Sequence, residues 1–212
     1  MTTAPSYDIL VCSIPHRHAS LCALLAELGT QMQPGAGVLI YRDNLEASYG
    51  AKCQALLDAS AADYVSWFDD DDLPAPDFVS SVMKALAGRP DYVGFPVRWT
   101  LDGVPQIPVE HSLRHGGWHD TPDMLQRDIV QFNPVRREIA LAGHWEGGYE
   151  AERRWADQVR ASGLVKTEAW IEEPMYYYQD SRGDTFKTPR VRMPEADIPE
   201  LPSYPWLTAV QP

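Results

Sequence analysis

The chain has 212 residues, 44% of them hydrophobic, and 18 Lys and Arg against 30 Asp and Glu for a net charge of −12. That apolar content excludes a disordered chain, and the length is that of one large domain, or one domain with an appendage. The acidic balance excludes broad, non-specific nucleic-acid binding, which depends on neutralising phosphates, and leaves room only for a local contact through Arg136-Arg137 or Arg153-Arg154.

Residues 7–12 are a compact apolar run, the first expected strand, with Pro15 ending its pairing. Ser20 is placed to cap a helix whose apolar face is Leu21, Leu24, Leu25 and Leu28, with Gly29 as its stop. A second strand over 37–41 leads into Arg42-Asp43-Asn44, and a second helix over 48–59 turns Cys53, Leu56 and Leu57 inward. A third strand, 63–68, is followed by a helix lined by Phe78, Val79, Val82, Met83 and Leu86. The fourth strand, 91–99, is expected at or near a sheet edge because of Pro96. Three strand–helix alternations in about ninety residues give an α/β fold, a mostly parallel sheet flanked by helices.

Beyond Trp99 the rhythm changes. His111, His115 and His119 could ligate a metal, but Gly116-Gly117 opposes the helix that would align them, and a substrate loop is preferred. Residues 128–132 look like a strand and 134–141 like a short helix. A stronger helix over 149–161, closed by Gly163, turns Trp155 and Val159 inward and carries Glu150 and Glu152 in its first turn. Residues 165–171 and 175–178 are further strand candidates. These elements are expected to form one domain over 1–185, with a larger half over about 7–100 and a small second half over about 101–185. Prolines recur after Thr188, so 186–212 is expected as an extended tail. Trp206 and Leu207 would anchor that tail to the domain or to a partner, which offers a route to a homo-oligomer. Cys12, Cys22 and Cys53 lack metal spacing and are expected as buried free thiols. The first residues have neither a basic region nor an apolar core, and no run reaches membrane-spanning length, so a reducing cytoplasm is the expected setting.

The chemistry concentrates in Asp69, Asp70, Asp71 and Asp72, delivered by the third strand. Four adjacent carboxylates repel one another, and burying them raises their pKa values unless a cation compensates. Hard oxygen ligands at a strand end are what Mg²⁺ or Mn²⁺ requires, and open α/β sheets bind ligands at the carboxyl ends of their strands. The competing reading is a solvated acidic turn.

In order, these elements resemble the GT-A glycosyltransferases, specifically family 2-like inverting enzymes, over roughly residues 7–180. Ser13-Ile-Pro15-His16-Arg17 stands where that family has a P-x-x-R-like segment under the donor nucleotide. Asp43 is similar to the acidic residue that contacts the nucleoside base, and Tyr49-Gly50-Ala51-Lys52 to an I-G-x-K helix start whose Lys lies near the donor. Asp69 to Asp72 match the D-x-D-D motif, with Asp69 and Asp71 at its two named aspartates. Asn133-Pro134 opens a segment similar to the family's N-P-x-x-x-R/K element. Two departures stand out. Where relatives carry G-E-D-x-x-W, this chain has Glu150-Ala151-Glu152-Arg153-Arg154-Trp155, so Glu152 takes the aspartate position. Where some have Y-H-Y, this chain has Tyr176-Tyr177-Tyr178, and a histidine metal ligand is missing.

The resemblance implies sugar transfer with inversion from a nucleotide-sugar donor, expected to be UDP-linked, to an acceptor hydroxyl on a glycan, small molecule, protein or modified nucleobase. A divalent cation (Mn or Mg) on Asp69 and Asp71 would stabilise the leaving diphosphate. Pro15, Arg17, Asp43, Lys52 and Asp69 would bind the donor, and Glu152, with Glu150 as fallback, would be the general base. From the residues alone, Asp43 could be a turn residue, Lys52 a solvated helix charge and Glu152 a helix-start carboxylate. A nucleotidyltransferase is disfavoured because residues 13–18 lack glycine. A non-catalytic nucleotide or carbohydrate binder is the other alternative.

Overall fold

The computed structural model describes residues 4–148, 150–181 and 191–210. Strand β1 (Tyr7–Ser13) lies between β2 (Ala36–Arg42) and β3 (Tyr64–Asp69), parallel to both. Helix α1 (His18–Gly29) follows β1, α2 (Tyr49–Ala59) follows β2, and α3 (Phe78–Leu86) follows the short strand β4 (Leu73–Pro74). The long strand β5 (Tyr92–Leu101) comes next, then β6 (Val104–Pro105), β7 (Val109–His111), β8 (His119–Asp120) and β9 (Leu125–Arg127). Strand β10 (Val135–Arg136) runs into the one-turn helix α4 (Arg137–Ala140), and α5 (Ala151–Ser162) precedes β11 (Glu168–Trp170), β12 (Tyr176–Asp180) and β13 (Leu207–Val210). The sheet order is β13-β2-β1-β3-β10-β5-β7-β9-β8, with β11 and β12 also on β5. Its parallel part carries β1, β2 and β3, as the strand–helix alternation requires, and β10 joins β3 and β5 antiparallel.

The period of two along the strands sorts the core onto two faces. In β3, Tyr64 and Phe68 pack with α1 and α3, on the side of Leu24, Leu28, Phe78 and Val82. Val65 and Trp67 point the other way, to α2 and α5, among Leu56, Leu57, Trp155 and Val159. There Trp67, Trp145 and Trp155 form one aromatic cluster with ring centroids 4.7 to 5.1 Å apart, and the Trp155 indole donates to Ala140 O at 3.1 Å. Gly163 ends α5 at φ 64, the left-handed stop that a glycine accepts at low cost.

Several expectations change. Helix α1 begins at His18, directly from a 3₁₀ turn over Pro15–Arg17, so Ser20 is no cap; its hydroxyl donates to Arg17 O at 3.0 Å within the first turn. Strand β5 is central, not an edge. Pro96 lies between the stretch of β5 paired with β11 and the stretch paired with β12. Its carbonyl accepts from Met175 N at 3.2 Å, so its missing N–H faces the gap between those two partners and no ladder bond is lost. Residues 128–132 are an irregular segment rather than a strand, although Ile129, Val130 and Gln131 are buried. The tail does not stay merely extended: β13 adds to the outer edge of β2 in parallel register, and Trp206 packs against Gly29. The tail thus anchors to its own domain. The three thiols are free, Cys53 buried and Cys12 and Cys22 half-buried. Among the described residues, no helix is long and apolar enough to cross a membrane.

Candidate functional site

The carboxyl edge of β1, β2 and β3 gathers the sequence's candidate residues. The pairings Cys12 with Asp69 and Ser13 with Arg42 put Ser13-Ile-Pro15, Asp43 and the aspartate turn side by side. Pro15 is buried at the start of its 3₁₀ turn.

The four aspartates have four different surroundings. Asp72 is buried, accepting from the Tyr176 hydroxyl at 2.7 Å and from Gln179 N at 2.7 Å, which fixes the turn to β12; burial pushes its pKa up to about 7 against these two donors. Asp70 is also buried, with Oδ1 2.9 Å from Arg17 Nη1, while its Oδ2 is enclosed without a hydrogen-bond partner. Burial raises Asp70 to about 6, and the guanidinium holds it from rising further. Asp71 points outward, 40% exposed, with Oδ2 3.0 Å from the same Arg17 nitrogen. The Asp69 carboxylate has no hydrogen bond or ion pair among the described residues. Burial, then repulsion from Asp72, Glu152, Asp71 and Asp70, pushes it well above the usual carboxylate range.

Asp43 and Lys52 meet each other. Both are buried and form an ion pair; Asp43 Oδ2 also accepts from Ala47 N at 2.5 Å, and Lys52 Nζ donates to Ser13 O at 3.3 Å. The pair therefore pins the ends of β1 and β2 together. Gly50, in the same segment, explains itself by contact. A Cβ there would lie 2.7 Å from Glu146 C, and Gly50 N donates to Gly147 O at 2.8 Å, so the loop before α5 sits directly on the start of α2.

That loop delivers α5 and Glu152. Its carboxylate accepts from the Gln131 side-chain amide. Burial raises the Glu152 pKa and the Gln131 bond opposes that rise. Glu150 precedes the helix with φ 75 and is exposed. Gln131 escaped sequence analysis because it belongs to the irregular segment. Main-chain and side-chain bonds hold it there: Trp67 N donates to Gln131 O at 2.8 Å, Tyr92 donates to Asp128 O at 2.7 Å, and Asp128 is ion-paired to Arg160 of α5. Tyr176, the neighbour of the expected Tyr177, is the tyrosine that touches the acidic turn, whereas the Tyr177 ring lies under the Arg98 guanidinium at 5.5 Å. A further missed feature is the tail. Residues 191–199 cross the ends of β1 and β2, with His16 Nε2 3.1 Å from Val191 O, Asn44 exchanging two bonds with the Met193 main chain (2.7 and 2.8 Å), and Arg42 donating to Pro199 O at 2.7 Å.

The histidine cluster that Gly116-Gly117 argued against does not assemble. His111 is buried against Asn133 Oδ1 at 2.7 Å, with burial lowering its pKa to about 4, and His115 turns to Glu110. Among the described residues no three His, Cys, Asp or Glu side chains converge as a ready metal-ligand set. The acidic turn nevertheless fits a hard divalent cation: Asp69 is an uncompensated carboxylate beside the outward Asp71, and Mg²⁺-type sites commonly take one or two carboxylates and complete their shell with water and substrate phosphates.

No protein-family model matches the chain, and no curated protein matches its sequence. Solved structures match its fold. The structure of S. aureus TarS 1-349 superposes with a TM-score of 0.62 at 13% identity, over 82% of this chain and 60% of that one. TarS 1-349 in complex with UDP-GlcNAc gives 0.63 at 12% identity, over 84% and 60%, and the UDP complex gives 0.59 at 14%, over 86% and 63%. The fold resembles that of GT-A glycosyltransferase structures. At these identities the GT-A likeness establishes architecture alone, and the chain spans about three-fifths of the TarS form it matches. Within the GT-A frame the acidic turn ends a central parallel strand, and α5 brings Glu152 close enough to add to the charge pressure on Asp69.

Proposed function

We propose that the chain is a family 2-like, metal-dependent, inverting glycosyltransferase that moves a sugar from a UDP-linked donor to an acceptor hydroxyl, in a cytoplasmic setting. One observation carries the proposal: at the carboxyl edge of a GT-A-like sheet, α5 presents a half-buried carboxylate, Glu152, held by the Gln131 amide and near enough to Asp69 of the acidic turn to repel it. Two carboxylate groups in different surroundings across one cleft is how one site separates a base from a charge-holding centre. The UDP complexes of the TarS fold neighbours support the choice of donor.

Asp69 and Asp71 would hold a divalent cation, which when bound supplies charge stabilisation to a leaving diphosphate. Pro15 and the buried Asp43–Lys52 pair set the floor under the nucleoside, and Arg17 lies where phosphate oxygens arrive. Glu152 takes the proton of the acceptor hydroxyl as that oxygen bonds to the anomeric carbon on the face opposite the departing diphosphate. Gln131 aims the carboxylate, and burial keeps it basic enough for the task.

The deciding experiment pairs a nucleotide-sugar panel, read by thermal shift with and without Mn²⁺, with turnover assays of two variants. Glu152→Gln should bind the donor as the wild type does and lose turnover, while Asp71→Asn should lose both metal-dependent nucleotide binding and transfer. Full activity in Glu152→Gln together with a dead Glu150→Gln would move the base to Glu150. Full turnover by Asp71→Asn would remove the metal from the mechanism.

A further inference from the structure

Arg17 is the side chain that couples the two halves of the acidic turn. Its Nη1 is shared between Asp70 Oδ1 at 2.9 Å and Asp71 Oδ2 at 3.0 Å. The three groups differ in exposure: 2% for Asp70, 27% for Arg17 and 40% for Asp71. Asp70 is thus the fixed, interior anchor of the guanidinium, and Asp71 the solvent-facing partner that a ligand can reach. Asp69, the other carboxylate of the motif, has no such partner among the described residues. A cation approaching from solvent therefore finds one carboxylate open and the other already neutralised by the protein's own cation.

We propose that Arg17 is the resident counter-ion of this turn, holding Asp71 against a divalent cation until a donor's diphosphate draws the guanidinium away. The inference rests on reading the turn as a metal-dependent donor site, and it deepens that reading. The physical basis is competition for the charge of one carboxylate. A guanidinium on Asp71 Oδ2 neutralises much of that charge, so a divalent ion on either oxygen binds more weakly while the Arg contact lasts. A diphosphate offers a planar, charged fork more oxygens than a single exposed carboxylate does, so it is the group able to compete for Arg17. Arg17 also closes the 3₁₀ turn Pro15–Arg17 at the end of β1, directly beside the acidic turn. Cation and nucleotide then assist each other: each makes room for the other, and linkage requires the assistance to be equal in both directions. Arg17 is a positioning residue in this scheme, acting through Asp71.

The test reads Mn²⁺ binding directly, from the free-ion EPR signal, with no sugar transfer involved. Wild-type protein should bind Mn²⁺ weakly alone and about tenfold or more tightly in saturating UDP. Arg17→Gln should bind Mn²⁺ alone about tenfold more tightly than wild type, with UDP adding little further. Arg42→Gln removes a positive charge that also acts on Asp70 but does not touch Asp71, and it should leave Mn²⁺ affinity unchanged. Wild-type Mn²⁺ affinity that ignores UDP overturns the inference without any variant. So does an Arg42→Gln effect equal to that of Arg17→Gln, which would reduce it to bulk charge. Wild-type protein that binds UDP yet takes up no Mn²⁺ or Mg²⁺ at any nucleotide concentration defeats the metal-dependent reading itself, a different result from binding without coupling.

Discussion

The Gln131 side-chain amide donates to the Glu152 carboxylate, tying the irregular segment beside β3 to the first turn of α5. Burial raises the Glu152 pKa, and this bond, made to the charged form, lowers it. A general base works only when deprotonated, so kcat/KM should fall on the acid side at a pH above the ordinary carboxylate range. Gln131→Ala removes the lowering contribution and leaves burial, so the acid limb should move to higher pH while donor affinity stays unchanged. A pH–rate profile of the two proteins checks this. A limb that stays in place would mean that Gln131 packs against the base without tuning it.

Gly50 links stability to the position of the proposed base. A methyl group there would sit 2.7 Å from Glu146 C and 2.9 Å from Glu146 N, main-chain atoms that can yield only by moving the loop. Gly50→Ala should cost about 1–3 kcal/mol, the usual range for overpacking. Because the displaced loop leads into α5, kcat should fall by a larger factor than donor affinity. Urea unfolding and steady-state kinetics on the same variant would show whether the two effects travel together.

The parts of the fold that the sequence revealed are those in which burial follows a period. Leu21, Leu24, Leu25 and Leu28 all lie in the core, and the continuous apolar run of β3 is buried on both faces of the sheet. Periodicity failed where apolar residues are buried without a ladder. Ile129 and Val130 look like strand residues, but Tyr92, Trp67 and Arg160 satisfy their segment through irregular bonds. Pro96 misled because its lost N–H is harmless only given two successive partners on one side of β5, which is a property of the sheet. The acidic turn was legible as a concentration of charge. How Arg17, Tyr176 and open space divide it was not, since those partners come from 53 to 107 residues away. Gln131 and Asn44 are ordinary loop residues until the chain folds.

Asp91 gives a pH prediction for stability, far from the cleft. Burial works to raise its pKa, but Lys166 N, Thr167 Oγ1 and Thr167 N all donate to Oδ2 at 2.9 to 3.0 Å, Arg136 lies nearby, and the net shift is downward. A carboxylate with a folded pKa below its unfolded value stabilises the fold at pH above the unfolded value, and that contribution disappears as pH falls through the folded one. Asp91→Asn should therefore be less stable than wild type at neutral pH, and the gap should close on acidification below about pH 4. Urea midpoints across that range test it; a gap independent of pH would assign the loss to packing.

The Asn44 clasp makes the tail testable. Asn44 Nδ2 donates to Met193 O at 2.7 Å and Met193 N donates to Asn44 Oδ1 at 2.8 Å, with His16, Arg42 and the Arg192–Glu46 pair as weaker or outer supports. Each of these two bonds is worth about 1 kcal/mol net. Asn44→Asp keeps the acceptor and loses the donor, and Asn44→Ala loses both. Proteolytic cleavage within 191–199 should therefore quicken from wild type to Asp to Ala. Global melting should change little, because β13 on β2 and Trp206 on Gly29 still anchor the end of the chain. These residues cross the ends of β1 and β2, beside the proposed donor site, so a nucleotide bound there would contact or displace them. Saturating UDP should then change the cleavage rate of wild type and have less effect on Asn44→Ala. Equal cleavage of all three proteins, or a UDP effect that ignores Asn44, would detach the tail from the donor site.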